Sequence, residues 1–347
     1  MKFSADNIRK IDKEDFWKLS GGEDRIKFLL RYGVLAPSTH NSQPWLFKIF
    51  PSSVEIYYNK EKEIIEADPH GRDLFISFGC LIENIVTAAS FFGVDTEVKY
   101  LPAKEVKNEL IATIVFSNLK NNDFSPNKDD SLLNIIKTRI NARGIFENKT
   151  ISPDTVNKLI SLNEDPNIKI NFITDKKKIN RIAELTELGL HEAYARKKFR
   201  MEMSKWLNHN LSSKKEGIPG FSLRMSLLIS LAFPKLVKFL NVGKAVGVLN
   251  YKSAASAPGI VIIGSKDNQP ETFLKVGRIA ERLMLHCKLY NLKTSIFLAS
   301  IEMGDYWKEI QKITENDFFP QFIFCIGYLN YNQKYNFRYR VEEKIIK

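Results

Sequence analysis

A chain of 347 residues, 44% apolar and 27% charged, can fill two cores and is too apolar for extended disorder. Its formal net charge of +12 suits nucleic-acid or anionic partners, yet the lysines are scattered and only short runs such as Lys176-Lys177-Lys178 and Lys214-Lys215 stand out. No RNP-like aromatics, zinc-finger spacing or basic helical repeat accompanies them, so they read as solvated faces and no nucleic-acid partner is expected.

The spacing of Ile26, Leu29, Leu30 and Gly33 predicts a helix over 23–35, stopped by Pro37. The polar stretch 38–45 has no regular pattern. Strand-like runs at 46–50 and 54–58 flank the turn Pro51-Ser52-Ser53. A loop at Asp68-Pro69-His70-Gly71 leads into a long apolar helix over 74–92, ended by Gly93. Strands at 97–101 and 110–116 close a first half, residues 1–120, and the Asn, Asp, Ser, Pro and Lys of 118–130 have linker composition.

The second half, residues 130–347, repeats part of this order. At an offset of 198, Gly79 aligns with Gly277, Glu83 with Glu281 and Gly93 with Asn291. Gly and Asn are the residues best suited to a left-handed helix end, so a helix over 277–291 repeats the first one. Strands at 260–263 and 322–327 flank it, which supports an internal duplication. A helical insertion at about 175–250 includes apolar stretches at 221–233 and 236–248. A lid or a packed element between the halves is expected there rather than a membrane-surface helix, because Pro234 breaks the run.

Three widely spaced cysteines, Cys80, Cys287 and Cys325, cannot complete a disulfide framework and read as buried thiols. The first 17 residues lack a hydrophobic signal core, and no apolar stretch reaches the roughly 18–20 residues of a membrane span. A cytoplasmic protein without a membrane partner is the expectation.

Several chemistries lack their motifs: there is no GxGxxG, Walker A loop or GxSxG elbow. His40, His70, His191, His209 and His286 show no metal-ligand spacing, so no metal is expected. Three polar clusters remain. Residues 36–45, with Pro37, Ser38, Thr39, Asn41 and Gln43, offer directed hydroxyl and amide groups that suit a flat heterocycle, and serve equally as a rigid turn. Arg139-Ile140-Asn141-Ala142-Arg143 puts two guanidinium groups on one face of a helical turn, to grip a phosphate or to end a solvated helix. Phe337-Arg338-Tyr339-Arg340, if extended, points Arg338 and Arg340 the same way.

Residues 37–45, P-S-T-H-N-S-Q-P-W, resemble the flavin-contacting loop of the nitroreductase superfamily. Arg139, Asn141 and Arg143 resemble its opening R-x-S-x-R/K element, with Asn in place of Ser, and Arg338 and Arg340 its closing basic pair. The stretch from Asp68 through Cys80 and residues 217–220 look most similar to the fused Acg-type members. This resemblance implies an α+β, nitroreductase-like fold. Two pseudo-repeated halves would form an intramolecular pseudo-dimer, each a mixed or antiparallel sheet packed with long helices.

The resemblance also implies FMN as cofactor. Arg139, Asn141, Arg143, Arg338 and Arg340 would lie toward the phosphate, and Pro37, Ser38, Thr39, Asn41 and Gln43 along the ring. Backbone N–H groups in 296–300 would face flavin N5 and O4. NAD(P)H would be the donor and a small aromatic or quinone-like molecule the acceptor, with no catalytic acid or base required. The loop lies in the first half and both arginine pairs in the second, so one site takes both halves and one FMN per chain. The alternative is an FMN-storage protein with a lidded flavin. Further pairing into a homodimer stays open.

Overall fold

A computed structural model describes residues 5–100, 109–119, 129–331 and 333–346. Helix α1 (Gly22–Gly33) precedes the hairpin β1 (Trp45–Phe50) and β2 (Ser53–Tyr58); α2 (Arg72–Phe91), β3 (Asp95–Tyr100) and β4 (Leu110–Ser117) follow. The four strands form an antiparallel sheet of order β1-β2-β4-β3. Next come α3 (Ser131–Thr138), α4 (Pro153–Ile160), β5 (Ile168–Ile173), α5 (Lys176–Ala195) and α6 (Lys197–Trp206). Two short strands, β6 (Leu207–Asn208) and β7 (Ile218–Pro219), lead to α7 (Leu227–Phe239) and α8 (Gly243–Ser256). The chain continues through β8 (Gly259–Ser265), α9 (Pro270–Leu289), β9 (Lys293–Ile296), α10 (Ala299–Glu302), α11 (Tyr306–Thr314) and β10 (Phe319–Gly327).

The second large sheet has the order β5-β8-β10-β9, again antiparallel. In chain order, each sheet therefore runs first, second, fourth, third, with a 20-residue helix between its second and third strands. The duplication expected from one short alignment is thus a repeat of topology. α2 and α9 cross at Gly79 and Gly277, where the absent side chains let the two backbones touch. Their C-terminal ends match too, with Gly93 at φ 69° and Asn291 at φ 60°. One continuous apolar core joins α1, α2 and α9 to a face of both sheets. Alternation along β8 sends Val261 and Ile263 into that core and Ile260 and Ile262 into a second one with α5, α8 and α11.

A strap fastens residues 344–346 to the first sheet. The backbone at 344–346 runs parallel to β1, with Phe47 N–H donating to Lys344 O and Ile346 N–H to Phe47 O, each at 2.8 Å. β1 is the edge of its sheet, and this pairing covers it.

Several expectations are corrected. α3 stops at Thr138, and Arg139 is extended at ψ 138°, so Arg139 and Arg143 do not share a helical face. β5 and β9 were not anticipated, and α9 starts at Pro270 because proline is well placed in a first helical turn. α2 is long and apolar enough to cross a membrane, against the expectation that no stretch qualifies, and 78% of that window is buried in the core. Within 175–250, α5 and α8 pack on the second sheet, whereas α6 and α7 gather around a small separate core with Tyr194, Phe199 and Val237. Most of α7 is exposed and not packed between halves. Leu101 and residues 120–128 of the expected linker lie outside the described residues.

Candidate functional site

The loop after α1 is conformationally strained. His40, Asn41 and Gln43 adopt φ of 51°, 58° and 50°, the left-handed region that disfavours side chains. Pro37 ends the preceding helix, and Ser38 Oγ then accepts from Gln43 N–H at 2.9 Å. Thr39 N–H donates to Ser77 Oγ of α2 at 3.3 Å. Asn41 Nδ2 donates to Lys215 O and Phe337 O, both at 3.2 Å, and Gln43 Nε2 donates to Lys215 O at 2.7 Å. Gln43 Oε1 accepts from Tyr339 N–H at 2.9 Å, and Lys344 Nζ donates to Gln43 O at 2.8 Å. The loop therefore ties the insertion to the C-terminal arm. Asn41 and Gln43, expected along a flavin ring, spend these amide groups on that task.

Beside it lies a cationic cluster. Arg139, 5% exposed, donates from Nε to Glu281 Oε1 at 3.0 Å. Arg338 enters from the C-terminal arm. Arg9, from the N-terminal turn, donates to Lys137 O at 2.7 Å and sits 4.2 Å from the Tyr335 ring centroid. Burial, then repulsion from Arg9 and Arg139, pushes Arg338 well below the ordinary guanidinium range. Burial and Arg139 lower Arg9 to about 10; burial, then Lys293, Arg139 and Arg9, lower Lys288 to about 8. Arg338 Nε and Nη1 and Arg9 Nε are enclosed without a hydrogen-bond partner. Burial raises the Glu281 carboxyl, while Arg139 and Arg338 oppose that rise. Arg139 and Arg338 thus converge on this carboxylate with Arg9 beside them, an excess of positive charge that an enclosed anion would balance.

A second buried group lies at the start of α2. Arg72 Nε is 3.2 Å from Asp73 Oδ1, its Nη1 donates to Ile301 O at 3.1 Å, and Glu302 is 4.0 Å from Nη2. Burial, then the Asp73 charge, pushes Asp68 up to about 7 and Glu302 well above the usual carboxylate range. Like charges crowded in one half-buried pocket cannot all ionise cheaply, so this group holds a proton at neutral pH. Ser77, whose hydroxyl donates to Asp73 O at 2.7 Å, links it to the loop through Thr39. His40, lowered to about 4 by burial, feels Asp73 and Arg143 as its charged neighbours. Its ring is therefore neutral at neutral pH.

The expected residues separate into groups. Arg139 and Arg338 converge, joined by Arg9, which no local pattern had singled out. Arg143 lies apart, with Nη1 3.5 Å from Asn250 Oδ1 and the neutral Tyr194 phenol as a neighbour. Arg340 is exposed at the mouth of a cleft of about 260 Å³ that Arg338 also lines. Asn141 faces β9, its Oδ1 accepting from Ile296 N–H at 3.0 Å, and Phe297 N–H donates to Ile323 O at 3.2 Å. Two N–H groups expected to face a flavin are therefore used within the protein. Among the described residues no group of His, Cys, Asp or Glu is arranged to hold a metal ion.

The insertion closes over this region. Glu202 of α6 accepts from the N–H groups of Ile65, Glu66 and Ala67 at 2.8, 3.0 and 3.1 Å. Lys62 and Glu216 pair at 2.7 Å, and the Lys215 ammonium pairs with Glu343. Three consecutive N–H groups on one carboxylate make an anion nest filled by the chain itself.

Two sheets of matching order and crossed helices define an α+β fold of two pseudo-repeated halves, with the strained loop and the cationic cluster drawn from both. The sequence resemblance is to the nitroreductase superfamily, although no family model matches the chain. A Mycobacterium tuberculosis H37Rv protein described as "Putative NAD(P)H nitroreductase" is 32% identical over 79 residues, 23% of this chain and 23% of its own length. The H37Rv protein acg, described in the same words, is 28% identical over 79 residues, 23% of this chain and 24% of its own length. The match thus spans about a quarter of these curated relatives. Among solved structures, a "putative nitroreductase" of Anabaena variabilis ATCC 29413 is 10% identical over 92% of this chain and 91% of its own, with a TM-score of 0.49. A nitroreductase with bound FMN from Bacteroides fragilis NCTC 9343 is 12% identical over 60% of this chain and 95% of its own, with a TM-score of 0.38.

Proposed function

We propose that the chain binds one FMN across its two halves and passes electrons from NAD(P)H to a small aromatic or quinone-like acceptor. The observation that carries this reading is the Arg9, Arg139 and Arg338 cluster, whose enclosed, unpartnered guanidinium atoms suit a phosphate dianion. Bound there, FMN supplies hydride acceptance and release. Arg338 and Arg9 would hold the phosphate, while Glu281 keeps Arg139 in place. The strained loop 38–43 would present Ser38, Thr39 and the backbone around His40 toward the ring. Asp68 and Glu302, raised by burial, keep a proton close to that loop. The border between the halves, placed within 118–130, belongs to this proposal, as does a cytoplasmic location.

The latched insertion favours a second reading, an FMN-sequestering protein in which α6 and the Lys215 segment exclude the nicotinamide. Purified protein tests both. Bound flavin that bleaches on anaerobic addition of NADH or NADPH supports the oxidoreductase. Bound flavin that stays yellow leaves sequestration, and protein that takes up no FMN removes both readings.

A further inference from the structure

The insertion presents an apolar surface that the rest of the fold does not use. On α7 only Ser230 and Val237 are buried, and a spacing of seven puts them on one line of the helix. The opposite line carries Leu228, Ala232, Leu236 and Phe239, with Leu228 79% and Phe239 71% exposed. On α8, Leu249 is likewise 67% exposed. Pro234 lies toward the inward line, so it does not interrupt the outer one.

The segment that carries this face has charge of a single sign. Residues 217–266 contain no Asp or Glu, against Arg224, Lys235, Lys238, Lys244, Lys252 and Lys266. Lys235 stands within the apolar line, and Lys238, Lys244 and Lys252 are exposed around it. We infer that this face docks on an anionic lipid bilayer, with α7 lying in the plane of the surface. The leucines and Phe239 enter the boundary between headgroups and acyl chains, while the lysine stems reach back so that their ammonium groups meet lipid phosphates. Docking on a second copy would set lysines against lysines with no carboxylate between them. The charge pattern therefore selects an anionic surface.

The test is co-sedimentation of the full chain with vesicles of phosphatidylcholine containing about one-third phosphatidylglycerol, and with phosphatidylcholine alone. The protein is expected on the anionic vesicles, at least about tenfold less on the neutral ones, and to be released as salt rises from about 0.1 to about 0.5 M. Leu228→Glu with Phe239→Glu is expected to abolish binding without lowering the melting temperature. If that variant melts early, Lys235→Gln with Lys238→Gln and Lys244→Gln, which leaves the apolar face whole, decides by losing the anionic preference. Absence of binding to anionic vesicles, or binding unchanged in the variant that decides, overturns the inference. So does a concentration-dependent dimer in ultracentrifugation that the Leu228/Phe239 variant splits, which would give the face to a second copy.

Discussion

A Cβ placed on Gly79 of α2 would stand 2.7 Å from the Cα of Gly277 of α9 and 2.1 Å from Leu274 O. One placed on Gly277 would stand 2.2 Å from Ile76 O. Both obstacles are backbone, so no side chain can swing aside. Gly79→Ala or Gly277→Ala must part the helices that join the two sheets, at a cost of about 2–4 kcal/mol. Urea unfolding monitored by circular dichroism reads this directly. A loss below about 0.5 kcal/mol in both variants would mean the crossing is not tight.

Arg338→Ala should act with opposite signs on stability and on ligand retention. Without a ligand, Arg338 is repelled by Arg9 and Arg139, so its removal leaves the melting temperature unchanged or raises it. FMN retention falls by about 1.5–3 kcal/mol, the scale of a bond to a charged group. Equilibrium dialysis with FMN beside a thermal melt separates the two effects. Arg340→Ala, at an exposed position, should weaken retention less. Arg139→Ala is a poorer probe because it strands the buried Glu281 carboxyl.

Asp68 makes stability depend on pH in a direction opposite to ordinary acid denaturation. Its carboxyl sits at about 7 in the folded chain against 3.8 for an ordinary aspartate, so between those values the folded state keeps a proton that the unfolded state releases. This contribution is fully present below about 4 and is lost as pH rises through about 7. Asp68→Asn is neutral throughout and can still accept the Leu74 N–H bond, which is 2.8 Å in the parent. It should gain about 1–2 kcal/mol at pH near 8, with little change below about pH 4, in melts across that range. Equal effects at both ends would place the Asp68 charge elsewhere.

Glu202→Gln weakens the latch between α6 and residues 65–67 by removing the negative charge that faces three N–H groups. Loss of such charge-assisted bonds costs about 1–3 kcal/mol, concentrated locally. Limited proteolysis should then cut faster within 209–217 while the global melt moves little. If the insertion covers a flavin, the same variant should also bleach faster with NADPH.

What the sequence revealed follows from how local each signal is. The cap at Gly93 and its partner at Asn291 rest on residue types that favour positive φ, and both adopt it. The Gly79–Gly277 pairing came from the same offset, because a close helix crossing needs glycine on both sides. Arg139 and Arg143 misled because i, i+4 spacing has meaning only inside a helix, and α3 ends one residue before Arg139. Arg9 was invisible: it lies 128 positions from Lys137, whose carbonyl it holds, and no neighbour marks it. The apolar run in α7 suggested packing, and only the surrounding chain could decide which side faced water.

The strap at Phe47 bears on how this chain is made. Lys344 and Gln43 are 301 positions apart, so on a ribosome the open side of β1 lacks this partner until residues 344–346 have emerged. Until then a nascent sheet edge is available to any extended segment nearby. A contact of such sequence separation is slow to form, so this edge is the part of the first sheet that stays open longest to wrong pairing.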